Sequence, residues 1–201
     1  MTRRYKYNIA TIFLKVCDLP NAQHMSFFTY NTASFPILIF EFNNTPINDA
    51  YFELFLLAWE SSYTHKAPFV LVFDTTNMAI PNPKYCLKMT AFIKKIRKFK
   101  PQYLQSSYIA VQSKTIATLL ELIFYLQPLV APVHITRETD VTKVVRCVGR
   151  ILEAETDAAA DAVADKGTPE SHHENQDEEQ AAFMSSITKV ILPSTPFFPF
   201  L

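Results

Sequence analysis

Residues 69–89 read "FVLVFDTTNMAIPNPKYCLKM": an apolar run ending in Asp74, a polar stretch with two prolines, and then a helical period. The run before Asp74 has no polar interruption, which predicts an interior strand covered on both faces. Beyond the prolines, Tyr85, Met89, Phe92, Ile96, Phe99 and Tyr103 recur at alternating intervals of four and three. That spacing puts one continuous apolar face on a helix. Strand, turn and helix in this order are the unit of an α/β fold, in which ligands and partners gather at the carboxyl ends of strands. The junction around Asp74 and Asn77 is therefore where function is sought first.

The same alternation extends in both directions. "YKYNIATIFLKV" (5–16) is β-branched and aromatic enough for a strand, and "FPILIFEF" (35–42) is a second run of the interior type. "NDAYFELFLLAWESSYTHK" (48–66) predicts a helix capped by Asn48 or Asp49, with Asp49, Glu53 and Glu60 on its wet side. Strands follow at "SSYIAV" (106–111) and "APVHIT" (131–136), and helices at "KTIATLLELIFYLQ" (114–127) and "DVTKVVRCVGRIL" (140–152). Asp140 is the expected cap of the last helix, with Val141, Val144, Val145, Val148 and Ile151 on its buried side. The order β-β-α-β-α-β-α-β-α predicts an α/β domain over residues 1–151, with a mixed, mostly parallel sheet and crossover helices.

A formal net charge of zero hides a division. Residues 1–151 hold 17 Lys and Arg against 9 Asp and Glu, whereas residues 152–201 hold 2 against 10. Residues 152–185 are rich in Ala, Asp and Glu with few large apolar side chains, and are expected to form a disordered acidic linker whose Ala-rich start is able to prolong the preceding helix. Residues 186–201 turn hydrophobic again and end in "PFFPFL"; their prolines favour an extended form. Phe197, Phe198 and Phe200 make this stretch a docking peptide in expectation.

Composition narrows the chemistry. Only two glycines, Gly149 and Gly167, occur in 201 residues, and neither follows a strand. Dinucleotide and P-loop sites, which need glycine for close approach to phosphate, are excluded. Cys17, Cys86 and Cys147 are widely spaced and odd in number, which suits buried fillers in a reducing, cytoplasmic setting rather than a disulfide frame. Nothing in the pattern calls for a metal or other cofactor. His24, His65 and His134 are isolated, and His172 and His173 fall in the acidic stretch.

The element order, "LVFDTTNM" leading into a helix and the final "DVTKVVRCVGRIL" together resemble the STAS domain, the fold of bacterial anti-sigma factor antagonists and of the cytoplasmic tails of sulfate transporters. That resemblance implies a non-enzymatic module that binds another protein around the start of the helix after Asp74. In the family a phosphorylatable Ser or Thr opens that helix. Pro83 and Lys84 stand there instead, so the phosphorylation switch is not carried over. "FPILIF" is similar, more weakly, to CRAL-TRIO lipid-transfer domains, which usually have a further helical region at the N-terminus.

The remaining signal is charge. Lys84, Lys88, Lys94, Lys95, Arg97, Lys98 and Lys100 cover the side of the helix opposite its apolar stripe. Nucleic acid, an anionic lipid surface or an acidic peptide such as the one this chain itself carries would each answer such a field, and the expected partner is another protein or a second copy of the chain. Nucleic acid is disfavoured, because no glycine-rich or interleaved aromatic pattern accompanies the charge. Asp74 has the residue type of an acidic catalyst or Mg²⁺ ligand but no second carboxylate nearby, and its ordinary role is to fix the following turn. The expected contact set is Asp74, Asn77, Lys84, Lys88, Lys95 and Lys98, with the three phenylalanines of the final peptide.

Overall fold

The computed structural model describes residues 22–24, 27–161 and 181–191. The strand expected at 5–16, residues 162–180 and the peptide carrying Phe197, Phe198 and Phe200 lie outside the described residues.

Seven strands form one sheet in sequential order. They are β1 (Ala22–His24), β2 (Phe28–Asn31), β3 (Ile37–Phe42), β4 (Phe69–Asp74), β5 (Leu104–Ala110), β6 (Val133–Thr136) and β7 (Ile187–Ile191). Pairings β3–β4, β4–β5 and β5–β6 are parallel, whereas β1–β2, β2–β3 and β6–β7 are antiparallel. The α/β class holds, but the sheet is evenly mixed rather than mostly parallel. Local periodicity reveals a strand without revealing its neighbour, so β1, β2 and β7 went unforeseen. Phe28 and Tyr30 do alternate buried with half-buried neighbours, which is the one local signal β2 carries.

Helices α1 (Asp49–Ser61), α2 (Lys84–Ile96) and α3 (Lys114–Leu126) connect the four parallel strands, each stepping one strand in the same direction. Crossovers share one hand, so steps in one direction leave all three helices on one face. The buried contacts agree: Phe52, Phe55, Trp59, Tyr85, Phe92, Ile96 and Ile116 join Phe40, Leu71, Phe73 and Ile109 in a single core. Helix α4 (Val141–Asp161) covers the other face, where Val144, Cys147 and Val148 meet Ile37, Ile39, Val70, Val72 and Tyr108. β4 thus splits its run between two cores, and all six of its residues are buried.

Local chemistry starts the helices as expected. The Asn48 side chain accepts from the backbone N–H of Tyr51 at 2.8 Å, Ser113 from Ile116 at 3.4 Å and Asp140 from Thr142 at 2.9 Å. Each satisfies a donor that the helix itself leaves open. The Ala-rich start of the acidic stretch prolongs the preceding helix, as its composition allowed, whereas residues 181–191 differ from the linker and peptide expected there. Residues 152–161 continue α4, residues 181–186 are helical with Phe183 buried in the second core, and β7 closes the edge beside β6. One large aromatic in a polar context escapes a compositional reading, and here it acts with Ile187, Ile191, the ladder to β6 and the Ser186–Thr136 hydrogen bond to hold these residues.

Candidate functional site

Asp74 ends β4 facing its own chain. Its Oδ1 accepts from the Thr76 backbone N–H at 2.9 Å and from the Thr76 hydroxyl at 2.6 Å, while Thr75 donates its N–H and hydroxyl to the Ala110 carbonyl at 3.1 and 2.7 Å. The carboxylate holds the turn, as Asp commonly does. Asn77 is exposed beyond it. Because the order of β3 to β6 never reverses, the sheet has no switch-point crevice at their carboxyl ends, and the junction is a closed turn. Among the described residues no three His, Cys, Asp or Glu side chains are grouped to hold a metal.

The cations of α2 divide into two sets. Lys84 pairs with Asp49 at 3.1 Å, Lys88 with Glu53 at 3.2 Å and Asp49 at 3.4 Å, and Lys95 with Glu60 at 2.6 Å. Lys84 and Lys88 also stand over the Tyr85 ring, 4.9 and 5.9 Å from its centroid. The hydrogen bond from Lys84 holds the Asp49 carboxyl below its usual range, and Asp49 in turn raises Lys84. These three lysines bind α2 to α1, so their charge is partly answered within the fold. Lys94, Arg97, Lys98 and Lys100 are exposed and form no ion pair among the described residues. Lys94 and Lys98 share the outer stripe with Leu87, which is 65% exposed.

Between the sheet and the three helices lies an apolar cavity of about 130 Å³, walled by residues such as Phe42, Phe55, Trp59, Phe73, Met89 and Leu120. The Trp59 indole N–H is buried with no acceptor among the described residues. A buried donor of this kind costs roughly 1–3 kcal/mol while unmet. Cys86 is buried near the Leu119 carbonyl, its Sγ at 4.0 Å, and burial raises its pKa. It is a filler between α2 and α3, as its spacing implied, and not an activated thiol.

His134 lies on the opposite face of the sheet from Cys86, so the two cannot act together. Val133 and Ile135 point into the helix-covered core, and His134 between them stacks on Tyr108 with ring centroids 4.5 Å apart. Its Nδ1 is buried without a partner among the described residues, and burial lowers its pKa from 6.5. The folded state therefore binds fewer protons than the unfolded state in the interval between the lowered value and 6.5. Stability from the neutral ring is complete above that interval and is lost as pH falls through it. Urea midpoints should drop as pH falls below about 6.5, and His134→Leu should flatten that drop.

Sequence reasoning found the basic helix but missed how α1 divides it, and missed Trp59. Leu122, Tyr125 and Leu126 of α3 are 41%, 87% and 42% exposed. The helix is apolar on nearly all sides, yet only Ile116 and Ile123 are fully buried. No helix among the described residues is long and apolar enough to cross a membrane. No family model, curated protein or solved structure matches the chain.

Proposed function

We propose that the chain is a non-enzymatic, STAS-like interaction module whose outer α2 surface binds an acidic partner protein. The observation that carries this reading is the stripe of Leu87, Lys94 and Lys98, flanked by Arg97 and Lys100: an exposed apolar anchor among cations that no carboxylate of α1 engages. Interfaces commonly combine such an anchor with a charged rim that steers encounter. The ion pairs on the opposite flank hold α2 against α1 and present this surface with little motion to lose on binding.

Immobilised full chain and its K94E/R97E/K98E variant, offered the same lysate at physiological salt, test the reading. Each exposed pair contributes up to about 1 kcal/mol, so proteins held by the parent should be retained on the order of tenfold less by the variant. Equal retention would sink the proposal. A second reading, an apolar ligand of the kind that CRAL-TRIO-type domains carry, is favoured by the cavity, whose walls are almost wholly apolar. Vesicle flotation and solvent extraction of the same purified chain separate the two: lipid recovered without a charge-dependent protein partner favours the cavity.

A further inference from the structure

The exposed row on α3 has a covering segment within the chain. We propose that residues 192–201, "LPSTPFFPFL", lie along the outer face of α3 and cover Leu122, Tyr125 and Leu126 with Phe197, Phe198 and Phe200. This stands independently of the partner reading of α2.

The path of the chain carries the argument. β7 runs antiparallel to β6 and ends with Ile191 opposite Val133. That is the end of the sheet at which α3 finishes at Leu126 and the chain turns into β6. Ile191 is partly buried against the same core that Phe124, Leu129 and Val130 join, on the face of the sheet that α3 covers. Residues 192–201 follow in sequence from this end of the sheet. Ten residues in a polyproline-like form reach about 30 Å at ~3.1 Å each. The 13 residues of α3 span only about 20 Å at ~1.5 Å each.

Chemistry and competition point the same way. Residues 192–201 carry no charged side chain, and their three prolines leave little backbone freedom to lose on docking. Proline-rich segments dock on exposed aromatic rings, and Tyr125 offers one that is 87% exposed. Leu122 lies one turn before both Tyr125 and Leu126, so the three share one exposed side of the helix. Residues 1–21 enter through β1, at the opposite edge of the sheet. Six strand spacings of ~4.8 Å, about 29 Å, separate that edge from β7. Of the two terminal segments, 192–201 is the one that follows from a strand end at the α3 C-terminal end of the sheet.

The test is photo-cross-linking in the full chain, with Tyr125 replaced by the photoreactive amino acid benzoylphenylalanine. The expected product has monomer size, is independent of protein concentration, and maps to residues 192–201. F197S/F198S/F200S, and separately L122E/L126E, should each lower its yield roughly tenfold, since each removes the apolar contact from one side. Melting of each variant checks that the domain remains folded, which the surface position of these side chains on α3 leads us to expect. A dimer-sized product assigns the face to a second copy and overturns the proposal. Products that map elsewhere, the lack of any product, or yields unchanged in a folded variant overturn it too.

Discussion

Phe55→Ala should destabilise the protein by about 4 kcal/mol, the largest effect expected of any single truncation in this core. Phe55 is 4% exposed, and its ring lies 5.3 Å from Phe40 and Phe42, 5.8 Å from Phe28 and 6.0 Å from Trp59. It joins α1 to β2, β3 and β4 at once. Truncation forfeits the transfer of the ring from water and adds a void, and the void term depends on how far the surroundings collapse. Here they are held by helices tied to one another through ion pairs, and Phe55 already borders the apolar cavity. The new space should merge with that cavity instead of closing. With a urea slope of roughly 2 kcal/mol per molar, the unfolding midpoint should fall by about 2 M. A fall below about 0.5 M would mean that the aromatic layer repacks freely.

The second large effect is expected from a residue in the acid-rich part of the chain. Phe183 is 4% exposed and packs with Val144, Cys147 and Val148 of α4, its ring centroid 6.2 Å from that of Tyr108. It fastens residues 181–186 to the second core and thereby delivers β7 to the edge of β6. Phe183→Ala should cost about 3 kcal/mol. It should also speed amide hydrogen exchange in β7 and in the edge of β6 that β7 covers, more than in β3 or β4, because β7 would detach before the sheet unfolds. Were residues 181–186 only a tether, stability and exchange would both match the parent, and the seventh strand would not belong to the sheet's cooperative unit.

These two phenylalanines also mark the range of legibility. Phe55 sits in a helix whose cap, length and wet acidic side follow from "NDAYFELFLLAWES", because a 3.6-residue period and a capping side chain act within a few residues. The interior strands at 37–42 and 69–74, the helix after Asp140 and the turn that Asp74 holds are local in the same sense. Phe183 has no such context. Its immediate neighbours are Ala181, Ala182, Met184 and Ser185, with an acid-rich run just before them, and its burial depends on α4 and Tyr108 arriving from elsewhere.

By itself the sequence determined the α/β alternation, the interior strands, the helix caps, the absence of glycine-built phosphate sites and the concentration of positive charge on one helix. All of these rest on periodicity, side-chain hydrogen bonding or composition over short distances. Only the tertiary structure decided the sequential strand order, which places α1, α2 and α3 on one face and removes the crevice where an α/β ligand would sit. It also decided which lysines of α2 remain open: Lys84, Lys88 and Lys95 meet carboxylates 35 to 39 positions away, whereas Lys94 and Lys98 face outward. Strand neighbours and cross-helix ion pairs join residues far apart in the chain. Their energies depend on how completed elements pack, so no local pattern in the sequence carries them.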